Sequence, residues 1–129
     1  MHHKLTVAAL ALCATAFAHH GTSSYDMGKG VVLAGVVTEF VWSNPHAFLL
    51  FDVKDDKGAV VHWAGELNSP SVLKDAGWTR TTFKPGDQVT LTVRPNKAGT
   101  PVGLINRGQP LTINGQPLVS RDRVSKDGQ

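Results

Sequence analysis

The chain has 129 residues, 13 basic and 10 acidic side chains, a formal net charge of +3 and one cysteine, Cys13. This length fits one small domain with a modest core. The charges are interspersed and form no basic stripe, which argues against a nucleic-acid partner, and one cysteine excludes an intramolecular disulfide or a cysteine-rich metal site.

Residues 1–18 have the pattern of a secretory signal peptide. Lys4 precedes an apolar run that ends in Ala16-Phe17-Ala18, the small-x-small pattern after which signal peptidases cleave. The run is shorter than the ~20 residues that a membrane-spanning helix needs. We therefore predict a periplasmic or secreted protein, not held in the membrane after cleavage, whose mature chain begins at His19 and has no thiol.

The next segments predict an arm followed by strands. Residues 19–30 are polar and rich in glycine and serine, which predicts a flexible N-terminal arm. Short runs rich in β-branched residues then predict strands at 31–42, 46–54 and 59–67. Gly35, inside the first strand, indicates a bulge or a sharp bend.

The alternation of side chains in the second run separates its two faces. One face is wholly apolar and is the predicted core face. It consists of Ala47, Leu49, Phe51 and Val53.

A short helix is predicted after the third strand. Ser69 can cap it, Pro70 suits its first position, Gly77 suits its end, and Val72, Leu73 and Ala76 give it an apolar side. The remaining predicted segments are a fourth strand at 88–94, one or two strands within 102–119, and a disordered polar tail at 120–129.

This order of elements predicts an all-β fold over residues 31–119. Three strands, a short helix and about two further strands are typical of a small, partly open OB-like barrel of five or six strands. The alternative is a β-sandwich, which usually needs about seven strands and about 100 residues.

Several short motifs resemble those of a family of uncharacterised exported bacterial proteins that carry a domain of unknown function. The resemblance covers roughly residues 19–94 and implies an exported small β-barrel, but no established activity or ligand. The motifs are His19-His20 after the signal, the segment at 36–46 that ends in Ser43-Asn44-Pro45-His46, residues 63–66, Ser69-Pro70, residues 77–80, and Lys84-Pro85-Gly86-Asp87.

The predicted N-terminal histidine suggests a metal site. His19 would offer its α-amine and its imidazole, which together close a chelate ring, and a third nitrogen would complete a histidine brace. His46 is the first candidate for that nitrogen because it follows a proline and heads a strand; His20 is the other. Copper(II) favours tetragonal nitrogen coordination, so it is the expected occupant.

Two further residues are weaker candidates for this metal site. Glu66 could act as a ligand or orient an imidazole, and His62 shares a predicted strand face with it. The ordinary alternatives stay open: His46 could contact a backbone carbonyl, His62 could be solvated, and Glu66 could be an exterior carboxylate.

The function predicted from these residues is an exported metal-binding protein, a copper carrier or sensor. No nucleophile-elbow motif or phosphate-binding glycine loop is present, so a binding role is favoured over an enzyme. The alternative is a non-metal OB-like module whose face with Phe48 and Leu50 docks a periplasmic protein or a small molecule.

Overall fold

A computed structural model describes residues 21–120, and the predictions for the signal peptide, His19, His20 and the tail after Ser120 lie outside this range. The helices of the described part fall short of the length and apolar character that crossing a membrane requires. The elements are a 3-10 turn at Thr22–Ser24, β1 Val31–Val41, β2 Phe48–Lys54, β3 Val60–Glu66, α1 Pro70–Asp75, β4 Gln88–Pro95, β5 Val102–Ile105, β6 Thr112–Ile113 and β7 Gln116–Pro117.

The strands form the predicted barrel. Their order is β1-β2-β3-β5-β4, and a β1–β4 pairing closes the ring. All neighbours in the ring are antiparallel except β3 and β5, which pair in parallel over only three residues of each strand. β6 extends the sheet from β4, and β7 follows β6. The OB-like fold class is therefore confirmed.

Closure depends on the curvature of β1. Residues 31–36 of this strand pair with β4, and residues 36–41 pair with β2. The register shift lies between Val37 and Glu39, slightly later than the position of Gly35. At Gly35 itself, an added Cβ would lie 2.5 Å from the backbone oxygen of Asp52. The glycine therefore permits a close approach of two strands where β1 passes from one partner to the other.

The core follows the predicted strand faces. Ala47, Leu49 and Phe51 are buried, and Val53 packs against the same cluster. The inward side chains of β4 are buried too: Val89, Leu91 and Val93.

Helix α1 covers part of this core with one side. Leu73 and Ala76 are buried, whereas Val72 is 42% exposed, so the apolar side is narrower than predicted. The Ser69 hydroxyl accepts a hydrogen bond from the Val72 N–H at 3.4 Å, and Gly77 follows the helix with φ of 91°. These are the start and stop signals expected from the sequence.

Both ends of the described chain are held by buried side chains. In the part of the predicted arm that the structure describes, Tyr25 is only 7% exposed. At the other end, Ser120 is fully buried and its hydroxyl accepts a hydrogen bond from Trp78 Nε1 at 2.8 Å.

Replacing Gly35 with alanine tests the close approach of β1 and β2. The new methyl group would meet a backbone oxygen that cannot rotate away, so we expect Gly35→Ala to lower the free energy of unfolding by about 1–3 kcal/mol. Gly28→Ala is the matched control, because an added Cβ there makes only an ordinary 3.6 Å contact. Urea unfolding of both variants measures the difference, and equal stabilities would contradict the expectation.

Candidate functional site

A cavity of about 210 Å³ lies where the N-terminal segment meets one end of the β2–β3 pair. It combines a histidine, a carboxylate and a phenol with backbone from the start of the described chain. Its lining residues are Gly21, Thr22, Tyr25, His46, Glu66, Leu67, Asn68 and Leu104.

His46 is positioned by an extension of the β2–β3 ladder. The Ala47 N–H donates to the Asn68 carbonyl at 3.1 Å, and the Leu67 N–H donates to the Ala47 carbonyl at 2.9 Å. His46 Nδ1 lies 3.0 Å from the Leu67 carbonyl oxygen. Because that carbonyl can only accept, Nδ1 carries the hydrogen, and in the neutral ring Nε2 keeps the lone pair.

Glu66, the last residue of β3, lies between His46 and Tyr25. Its side chain is only 15% exposed, while that of His46 is 48% exposed. Glu66 Oε1 is 3.6 Å from His46 Nδ1, and Oε2 accepts a hydrogen bond from the Tyr25 hydroxyl. The carboxylate thus accepts a hydrogen bond from the phenol and lies near the imidazole, but beyond hydrogen-bond distance of it.

Tyr25 is the site residue that the sequence analysis missed. Burial, the hydrogen bond to Glu66 and the negative charge of that carboxylate, in this order, raise the pKa of the Tyr25 phenol above its ordinary value. The available signal was weak: Tyr25 is the one tyrosine of the chain and stands in an otherwise polar segment. Its partner is 41 positions away in sequence, so no local pattern links the two.

His62 lies apart from this cavity. Its Nδ1 is 2.5 Å from Asp52 Oδ1, its directly opposite neighbour on β2, and its side chain is 83% exposed. Four residues of extended strand, about 13 Å, separate it from Glu66. The structure therefore pairs Glu66 with His46 and pairs His62 with a different carboxylate.

The residue that follows the predicted N-terminal ligands in sequence lines the cavity. His19 and His20 lie outside the described residues, but Gly21, the next residue, lines the cavity together with His46. Between residues 21 and 120, no group of three or more His, Cys, Asp or Glu side chains is close enough to hold a metal ion. A metal ion on His46 would therefore need donors from outside that range.

Comparison with known proteins identifies the family. The chain belongs to a family of unknown function, DUF6152, whose members it matches over residues 7–107. No curated protein and no solved structure matches it.

The hydrogen bond of Tyr25 predicts a pH dependence. The unfolded chain releases the phenol proton near pH 10, whereas the folded protein retains it because its pKa is raised. The contribution to stability is therefore complete below about pH 10 and is lost as the pH rises towards the pKa of the folded state. We expect the phenolate absorbance of the native protein to appear at higher pH than in denaturant. Coincident titration curves would contradict this.

Proposed function

We propose that this protein is an exported, periplasmic copper-binding protein, a carrier or sensor, that holds Cu(II) between its mature N-terminus and His46. His19 would supply its α-amine and imidazole, with His20 as the alternative donor, and His46 would supply Nε2. The observation that carries the proposal is the cavity in which Gly21, His46 and Glu66 meet.

The orientation of His46 supports a role as a ligand. Metal-binding imidazoles usually donate their second N–H to a backbone carbonyl or a carboxylate, which fixes the ring and the tautomer. His46 Nδ1 has both kinds of partner nearby, the Leu67 carbonyl at 3.0 Å and Glu66 Oε1 at 3.6 Å. Nε2 is then the nitrogen that is available for a metal ion.

The length of chain between Gly21 and His19 also supports the proposal. Two residues span at most about 7 Å when extended, so a terminus that starts from the cavity wall stays within reach of it. Cleavage after Ala18 would make the His19 α-amine the end of this short segment. The same cleavage would remove Cys13, so the proposed site has no thiolate, and its nitrogen donors suit Cu(II).

Glu66 contributes charge near the proposed site. Its carboxylate lies on the Nδ1 side of His46, 3.6 Å from that nitrogen, so we assign it an electrostatic role rather than direct ligation. A negative charge at this distance also offsets part of the positive charge that a bound Cu(II) would bring into a half-buried site.

Cu(II) titration of the processed protein tests the N-terminal chelate. We expect the addition of three glycines before His19 to weaken Cu(II) binding at least about tenfold, because losing a ligand should cost no less than losing an outer partner of one. His46→Ala should weaken it similarly, whereas His62→Ala, the matched control, should have no effect. Equal affinities for the processed and the extended chains would rule out the chelate.

The pH dependence of the same titration provides a second test. An α-amine with a pKa of about 7.7–8.0 must lose its proton before it can bind the metal. The affinity should therefore rise between mildly acidic and mildly basic pH, and it should rise less steeply in the glycine-extended chain. An affinity of the processed protein that does not change with pH would contradict the role of the amine.

A second candidate function is a non-metal binding module on the outer side of β2 and β3. A cavity of about 540 Å³ lies there, and its lining includes Leu50, Trp63 and Val102. In this case Leu50→Ala, a change in the cavity lining, should abolish association with the partner while His19→Ala changes nothing, which is the reverse of the outcome expected for a copper protein.

A further inference from the structure

We propose that Asn114 is a site of spontaneous chemical modification, at which loss of the side-chain amide gives an aspartate and releases the β6–β7 hairpin from β4. The observation that carries the proposal is that Asn114 precedes Gly115 and that its amide clamps this hairpin to the residues at the start of β4. Neither residue lines the cavity at Glu66, so the proposed copper site and this one stand independently.

The side chain of Asn114 uses both of its polar atoms in the clamp. Oδ1 accepts a hydrogen bond from the Gln88 N–H at 2.9 Å, and Nδ2 donates to Asp87 Oδ1 at 3.0 Å. The Asn114 N–H adds a third hydrogen bond, to the Gln88 carbonyl at 2.7 Å. An amide accepts and donates, whereas an ionised carboxylate only accepts. The arrangement therefore suits asparagine and not aspartate.

Asn114 and Gly115 form the two-residue turn between β6 and β7. Both have a positive φ, 51° and 79°, as in the type I′ turn that Asn-Gly sequences favour. Asn114 is exposed, and it is the one asparagine of the chain that precedes a glycine. Because Gly115 has no Cβ, its backbone nitrogen can approach the Asn114 side chain more closely than that of any other residue type.

The reaction needs only water as a co-reactant. The Gly115 nitrogen gives up its proton and attacks Asn114 Cγ, so that a C–N bond forms, and the Cγ–Nδ2 bond breaks as ammonia leaves with that proton. The resulting succinimide ring takes up one water molecule at either carbonyl and opens to aspartate or isoaspartate. The net change exchanges an amide for a carboxylate, with no oxidation or reduction.

Conversion to aspartate would set two carboxylates against each other. The group that donates to Asp87 would be replaced by a negatively charged oxygen, and like charges at this distance repel. Asp87 is held in place, because its Oδ2 accepts a hydrogen bond from the Lys84 N–H at 2.8 Å. Since β6 pairs with β4 over only two residues of each strand, the hairpin is the part of the sheet that this repulsion releases.

The fold controls the rate of the reaction. Attack on Cγ requires Nδ2 to leave, and Asp87 holds Nδ2 while the hairpin is closed. β6 and β7 are two residues long and lie outside the closed ring of β1–β5, so they can open locally while the barrel stays folded. Deamidation therefore follows the opening of the hairpin, and its product hinders the hairpin from closing again.

Incubation of the purified protein at mildly basic pH, followed by peptide mass mapping, tests the site. We expect amide loss to appear first at Asn114, with Asn68 and Asn96 as internal references. It should be at least about tenfold slower in the folded protein than in urea, because it needs local opening. Equal rates would overturn the control by the fold. Earlier conversion of a reference, or an Asn114 that stays intact in the folded protein while the chain in urea is converted, would overturn the proposal.

Asn114→Asp reproduces one product of the reaction in the whole protein. We expect faster amide hydrogen exchange in β6, with exchange in β1 and β2 little changed. Asn96→Asp is the matched control, because Asn96 Oδ1 accepts from the Ala98 N–H at 2.7 Å and a carboxylate can accept in the same way. Equal effects of the two substitutions on β6 would overturn the role of the clamp.

An exchange of the two side chains separates charge repulsion from a general loss of stability. When Asn114→Asp is combined with Asp87→Asn, the amide at position 87 can donate to the carboxylate at position 114 and still accept from the Lys84 N–H. We expect the double variant to recover most of the exchange protection that Asn114→Asp loses, as coupled neighbours do. Additive losses would overturn the assigned repulsion between the carboxylates.

Discussion

The close approach of β1 and β2 at Gly35 is the constraint on which the rest of the structure depends. A Cβ at this position would lie 2.5 Å from a backbone oxygen of β2, yet β1 must pass here from β4 to β2 to close the barrel. Closure brings β5 alongside the last three residues of β3. The cavity at Glu66 is bounded by Leu104 of β5, so it exists only because the ring is closed.

The β2–β3 pair carries two histidine–carboxylate pairs in very different surroundings. Asp52 and His62 face each other across the strands near the hairpin turn at 55–59, where water screens their attraction and limits its energetic value. Glu66 and His46 lie at the opposite end, where the neighbouring segment and β5 shield the carboxylate to 15% exposure. Burial makes the electrostatic interaction of the second pair the stronger one at a given distance, since electrostatic interactions strengthen as water is excluded.

Sequence patterns predicted the local parts of this structure and missed the parts that join distant segments. Alternation identified the buried face of β2, and Ser69 and Gly77 marked the helix, because these signals depend only on neighbouring residues. The partnership of Tyr25 with Glu66 spans 41 positions, and only the closed barrel brings the two together. For the same reason His46 and Glu66 were identified as separate candidates, but their proximity was not predictable from their spacing.

The anchoring of the segment at Tyr25 makes the proposed N-terminal ligand physically reasonable in a small domain whose described residues include no thiol. A free terminus would sample a large volume, and closing it onto a barrel histidine would carry an entropic cost that grows with the length of the loop. The hydrogen bonds of Ser24 and Asp26 to the barrel would shorten that loop to the few residues before the cavity. The effective concentration of the proposed terminal nitrogens at His46 would then depend on this anchor as much as on the ligands themselves. In the proposed site, affinity is therefore a property of the folded segment and the barrel together.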